Sequence, residues 1–191
     1  NRPVETPRTK PYGCSVKYAK PPSATNFTLP DQDGKQHALA DYRGRIVVLE
    51  WFNPDCPFVK RHHAAERDTL AELAEASAPK GVVWLAVNST HYMDADKTAE
   101  WHDQWNLPYP VLIDRKGKVG RAYGAKTTPH IFVIDRKGNV VYQGAIDDAP
   151  RGGKDDPTNY VARAIADLLA DREVQTPKTR PYGCSVKYAS E

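Results

Sequence analysis

An α/β fold whose sheet begins parallel and ends antiparallel is predicted by three features of the sequence. IVVLEWF at 46–52 and VVWLAVN at 82–88 are continuous apolar runs, typical of strands buried on both faces. Helix formers fill the stretch between them. Two further apolar runs, HIFVID (130–135) and VVYQGA (140–145), flank an Arg-Lys-Gly turn and read as an adjacent strand pair.

The elements follow in order. Residues 1–24 are polar, proline-bearing and aperiodic, and read as an extended tail ahead of a domain at 25–171. FTLPDQDGKQHAL (27–39) reads as a β-hairpin around Asp33-Gly34. From Pro57 to about Ala76 a helix is expected, with Val59, Leu70, Leu73 and Ala74 on its buried side. ADKTAEWHDQW (95–105) predicts a helix with Trp101 and Trp105 on one face. VLID (111–114) is a further strand, and Asp156 as N-cap with Pro157 at the first helical position predicts a helix to about Ala170. Residues 172–191 form a second extended tail.

With 191 residues, 40% hydrophobic and 27% charged, the chain has the composition of a globular domain. A net charge of +3 with interspersed signs leaves no basic stripe for nucleic acid. No run of 18 apolar residues is long enough to span a membrane. Starting at Asn1 with no signal-like segment, the sequence reads as a processed or trimmed piece. Three widely spaced cysteines, Cys14, Cys56 and Cys184, do not make a disulfide-stapled scaffold and point to reactive thiols.

The chemistry concentrates in LEWFNPDCPFVKRHH (49–63). Cys56 falls where a buried strand gives way to a helix opened by Pro57, so unpaired amides and the helix dipole surround its sulfur and favour thiolate. Lys60, one turn on, is expected to add positive charge. A plain buried, inert cysteine is the alternative reading. Glu50 interrupts the apolar run, where a carboxylate is costly unless paired or protonated.

FTLPDQDGKQHALADYRGRIVVLEWFNPDC and VGRAYGAKTTPHIFVIDRKGNVVYQGAID (118–146) together resemble the thioredoxin-like redoxin families, which include thiol–disulfide oxidoreductases and peroxiredoxins. The resemblance covers about 27–170. It implies a thioredoxin-like fold, a central mixed sheet flanked by helices with an N-terminal β-hairpin addition. It also implies a cis Pro129 packed against the reactive sulfur, a proton-relaying role for Glu50 and a bacterial extracytoplasmic setting. Substrates would be protein or small-molecule disulfides, with a thiol electron donor. Two departures stand out. The C-x-x-C motif is reduced to Cys56-Pro57-Phe58-Val59, and the peroxiredoxin P-x-x-x-T-x-x-C pattern has Leu49 and Asn53 at its proline and threonine places. A thiol peroxidase is therefore the runner-up, followed by a non-catalytic module binding a partner or copper.

The missing second thiol has a candidate replacement. VETPRTKPYGCSVKYA (4–19) recurs as VQTPKTRPYGCSVKYA (174–189) with three conservative differences. The 14 residues from Ala170 to Cys184, extended at about 3.3 Å each, reach roughly 45 Å, enough to bring Cys184 to Cys56. Cys14 is a second candidate resolving thiol. Tyr182 and Tyr188 offer apolar docking surface with polar tips. A polar linker is the alternative for both tails. The duplication also fits a unit cut from a tandem array, with neighbouring modules as partners. Six histidines lack metal-ligand spacing, but His130, beside Pro129, could join Cys56 and a tail cysteine around a soft metal.

Overall fold

The computed structural model describes residues 21–63 and 69–190. Its first elements are β1 (Thr28–Pro30) and β2 (Gln36–Ala38), antiparallel, with Leu29 opposite His37. Asp31 holds the turn between them. Its carboxylate accepts from the Asp33 and Lys35 amides and meets the His37 imidazole at 2.7 Å. There follow β3 (Ile46–Trp51), α1 (Pro57–His62), α2 (Thr69–Ser77), β4 (Val82–Asn88), α3 (Ala95–Gln104), β5 (Val111–Ile113) and α4 (Lys118–Tyr123). After these come β6 (Thr127–Thr128), β7 (Ile131–Ile134), β8 (Val140–Gly144), α5 (Tyr160–Leu169) and β9 (Cys184–Ser185).

The central sheet runs β5-β4-β3-β7-β8. Its first three strands are parallel to one another, while β7 is antiparallel to β3 and β8 to β7. Because β3 is buried at all six positions, its alternating side chains feed two separate cores. Ile46, Val48 and, beyond the strand end, Phe52 face one side, with Leu70, Ala74, Val161 and Ile165 from the helices. Val47, Leu49 and Trp51 face the other, with Phe27, Leu39 and Val119. Each fully buried aliphatic side chain contributes about 1.5–3 kcal/mol of transfer free energy, so an apolar run with no polar alternation is what this sandwich requires.

Several boundaries differ from expectation. The helix predicted over 57–76 appears as α1 and α2, with 64–68 outside the described residues. The last helix starts at Tyr160, capped by the Asn159 side chain, which accepts from the Ala162 amide at 2.9 Å. Asp156 and Pro157 belong instead to a loop, which Asp148 ties down by accepting from the Thr158 amide at 2.9 Å and pairing with Lys154. Residues 22–24, expected in an extended tail, are pinned beside the β7–β8 turn. The Val140 amide donates to the Pro22 carbonyl, and the Ala24 amide to Gly138.

A cysteine pair at the strand end

Where β3 ends, Asn53 organises the descent into α1. Its side-chain oxygen accepts from the Asp55 amide at 2.9 Å and its carbonyl from the Cys56 amide at 3.0 Å. Cys56 thereby becomes the N-cap of α1 in extended conformation, with Pro57 at the first helical position. Its side chain is 1% exposed. In the thiol form it donates to the Thr128 carbonyl at 2.9 Å, and the Thr128–Pro129 peptide that follows is cis.

The sulfur is not covered by hydrocarbon alone. β9 pairs antiparallel with β6, which sets Cys184 opposite Thr128 and Ser185 opposite Thr127. Burial pushes the Cys56 pKa up. The Cys184 thiol and amide, the Val59 amide and the Thr128 hydroxyl pull it down, and the net shift is downward. Cys184 moves the other way. Burial and the neighbouring Cys56 sulfur push its pKa up to about 11. The pair is thus polarised, with the negative charge favoured on Cys56 and the proton on Cys184. Lys60 takes no part in the expected way, because its ammonium lies 5.3 Å above the Trp101 ring. The helix amides are one contribution among several, and the tail cysteine lowers the Cys56 pKa more than they do.

The segment from Pro177 to Ala189 is seated residue by residue, which excludes the linker reading for this copy. The Gln143 amide donates to the Pro177 carbonyl at 3.0 Å, and the Thr179 amide donates back to the Gln143 carbonyl at 3.1 Å. The Thr179 hydroxyl meets Tyr142 and the Ala145 amide against Gly144, where φ is +152° and a Cβ would strike the Thr179 backbone. Tyr182 donates to Asp147 at 2.6 Å and meets His62 at 2.9 Å. Gly183, at φ +128°, leaves no room for a Cβ under the Thr128 carbonyl. Past the cysteine, the Val186 amide donates to the Lys126 carbonyl and the His91 amide to the Lys187 carbonyl. Tyr188 donates to the Ala125 carbonyl at 2.9 Å, packs on Gly117 and Gly120, and lies under the Arg121 guanidinium. The tail therefore crosses the sheet end, with Cys184 packed on the Cys56 core and Val186 in the opposite one.

Glu50 is wholly buried on the Cys56 side of the sheet and does not snorkel to water. One oxygen meets the His63 imidazole at 3.2 Å, and the other accepts from the Tyr109 hydroxyl at 3.1 Å. His63 stacks on Trp105, while Phe52 packs edge-on against both rings. Adjacent His62 and His63 serve different ends, one holding the tail tyrosine and the other the buried acid.

Cys56, Cys184 and Pro129 thus come together at one strand end, and Glu50 lies in the same layer without a direct hydrogen bond to the sulfur. Cys14 lies outside the described residues. His130 belongs elsewhere: its ring packs on Phe132, whose side chain faces the other core, and its Nδ1 accepts from the Lys126 amide. The described residues contain no group of three His, Cys, Asp or Glu able to hold a metal, and no helix among them is long and apolar enough to cross a membrane. Thr128, Tyr109, His63 and Asp147 were missed from sequence. Only Thr128 carried a local signal, as the residue before the cis proline.

The AhpC/TSA family model matches residues 22–143. Among curated proteins, thiol-disulfide oxidoreductase ResA of Geobacillus thermodenitrificans is 35% identical over 119 residues, covering 62% of this chain. The chain spans 64% of that relative's length. Peroxiredoxin Q of Oryza sativa subsp. japonica is 31% identical over 134 residues, covering 66% of this chain and 58% of the relative. A solved structure of a hypothetical protein from Sinorhizobium meliloti 1021 superposes with a TM-score of 0.82 at 28% identity, over 92% of this chain and 97% of the other. Residues 25–171 alone do not fill that share, so the likeness extends beyond them. The thioredoxin domain of a Bacteroides vulgatus thiol-disulfide oxidoreductase superposes with a TM-score of 0.57 at 18% identity, over 66% of this chain and 89% of that one. The fold is thioredoxin-like.

Proposed function

Because the chain belongs to the AhpC/TSA family, we propose that it is a thiol–disulfide oxidoreductase in which Cys56 and Cys184 together replace the usual short-loop dithiol. The observation that carries this is the β6–β9 register, which sets Cys184 opposite Thr128, the residue whose carbonyl accepts from the Cys56 thiol, and packs it on the core that contains Cys56.

In the reductive direction, Cys56 thiolate attacks one sulfur of a protein or small-molecule disulfide, forming a mixed disulfide and releasing the first substrate thiolate. Cys184 then loses its proton and attacks the Cys56 sulfur. The Cys56–Cys184 disulfide forms, the second substrate thiolate leaves, and two electrons have passed from the cysteine pair to the substrate. A dithiol donor restores the pair by the reverse exchange. Pro129 and Thr128 line the face where the mixed disulfide lies, and the Glu50–His63 pair is the proton store for Cys184. At 1% exposure Cys56 is closed to substrate while β9 is docked. The two-residue β6–β9 ladder must open for each exchange. Cys14, on the duplicated tail, is a second resolving thiol in this scheme. The setting we assign is extracytoplasmic, where disulfides persist.

The test is stopped-flow mixing of the reduced protein with oxidised glutathione and, separately, hydrogen peroxide. Loss of both Cys56 and Cys184 thiols with release of two glutathione thiols per chain supports the oxidoreductase. Oxidation by peroxide far faster than by any disulfide supports the peroxidase reading instead, which the peroxiredoxin Q similarity favours. Leu49 and Asn53 count against that reading.

A further inference from the structure

We propose that the groove holding residues 177–189 is an exchangeable receptor for the PYGCSVKYA segment, and that it accepts residues 7–19 of a second copy of this chain. This reaches beyond the redox reading, because it rests on the groove's shape and not on any electron transfer.

Each docking contact of the tail has an identical residue in the other copy. Pro177 and Thr179, which pair with Gln143 and fill the space over Gly144, correspond to Pro7 and Thr9. Tyr182, held by Asp147 and His62, corresponds to Tyr12. Gly183, the position that tolerates no Cβ, corresponds to Gly13. The strand pair Cys184 and Ser185 corresponds to Cys14 and Ser15, and the anchors Val186 and Tyr188 to Val16 and Tyr18. The two differences within this span, Lys178 for Arg8 and Arg180 for Lys10, keep the charge.

The far end of the groove does not demand a chain terminus. Ala189 is fixed by Arg121 at 2.6 Å, but Ser190 beyond it is exposed, so a segment that continues into Lys20 can leave the same way. Each chain then offers two ligand segments and, among the described residues, one such groove. Whichever segment is resident, the other is surplus to its own chain and complementary to the groove of a neighbour. Such a contact is heterologous and joins copies head to tail. It is β-strand addition at the β6 edge, with the two tyrosine pockets giving specificity. Tethering favours the resident tail by effective concentration, so exchange shows once that tail is unseated.

The experiment uses the full chain with Gly183→Val, which places a Cβ against the Thr128 carbonyl and leaves Gly13 and the groove intact. Sedimentation velocity across a range of concentrations should show concentration-dependent dimers and longer species. Adding Gly13→Val should return the chain to monomer. Should the valine variant not fold, Tyr182→Ala unseats the tail by removing atoms instead. A labelled peptide of residues 4–19 carrying Cys14→Ser should bind either variant saturably, and at least tenfold more weakly when it also carries Gly13→Val. A variant that folds, stays monomeric throughout and binds no peptide overturns the proposal. So does association that survives the double substitution, or a monomer whose groove is filled by its own residues 7–19.

Discussion

Cys184 stands opposite Thr128 in the β6–β9 register, and the Thr128 carbonyl accepts from the Cys56 thiol, so that register seats Cys184 at the Cys56 site, where its presence lowers the Cys56 pKa. The residue that resolves the reactive thiol in the proposed reaction is therefore also the one that tunes it beforehand.

Iodoacetamide trapping of Cys56 as a function of pH should give a midpoint below that of an ordinary thiol, about 8.5. Cys184→Ala removes a thiol that lowers the Cys56 pKa while burial still raises it, so the midpoint should rise. The stability linkage has opposite signs for the two thiols. The depressed pKa of Cys56 contributes stability that is present above the unfolded thiol value and lost as pH falls through the folded one. The raised pKa of Cys184 contributes stability that is full below about 8.5 and lost as pH climbs through about 11. An unchanged Cys56 midpoint in the Cys184 variant would count against the tuning.

Gly144→Ala tests whether tail seating gates access to the sulfur. The added methyl meets the Thr179 backbone, 2.8 Å from its carbonyl oxygen and 2.9 Å from its nitrogen. A penalty of about 1.4 kcal/mol on docking opens the tail about tenfold more often. Alkylation of Cys56 at fixed pH should accelerate by at least that factor, with the rest of the fold intact by circular dichroism.

Glu50 separates a proton role from a packing role. Glu50→Gln preserves the volume and an acceptor for Tyr109 but cannot exchange a proton. The fold should survive, while release of the second substrate thiol slows about 10²-fold, within the range of general acid–base catalysis. Glu50→Ala takes one partner from each of His63 and Tyr109, at about 1–3 kcal/mol apiece, and should lower the urea midpoint. Equal second-thiol kinetics in Glu50→Gln and the unaltered chain would exclude the relay.

The two cores were legible because β3 and β4 are almost wholly apolar, and Glu50 was legible because an acid inside such a run demands an explanation. Its partners were not, since His63 and Tyr109 reach it from 13 and 59 residues away. The start of α5 was misplaced because Asp-Pro is a good local helix opening, but Asp148 claims Thr158 and Lys154 and holds that stretch as a loop. Lys60 was assigned to the sulfur from its one-turn spacing, and the face of Trp101 outcompetes that placement. The repeated tail announced itself by identity alone. Its seat against Thr128 depends on a strand pairing across more than fifty residues, which no local pattern encodes.

His130 predicts an acid limit. Burial first, then the charges of Lys126 and Lys178, depress its pKa to about 4. A base held neutral in the folded state contributes stability that is present above its unfolded pKa of about 6.5 and lost as pH falls from there to about 4. The loss amounts to about 3 kcal/mol over that window. Urea midpoints measured at intervals through it should decline for the unaltered chain, and His130→Gln should flatten the decline.

The most direct measurement is a peptide map of the reduced protein after treatment with one equivalent of oxidised glutathione, quenched in acid and digested without reductant. The account predicts a linked peptide pair containing Cys56 and Cys184, with little glutathione left on the protein. Glutathione retained on Cys56 while Cys184 stays freely alkylatable would contradict it.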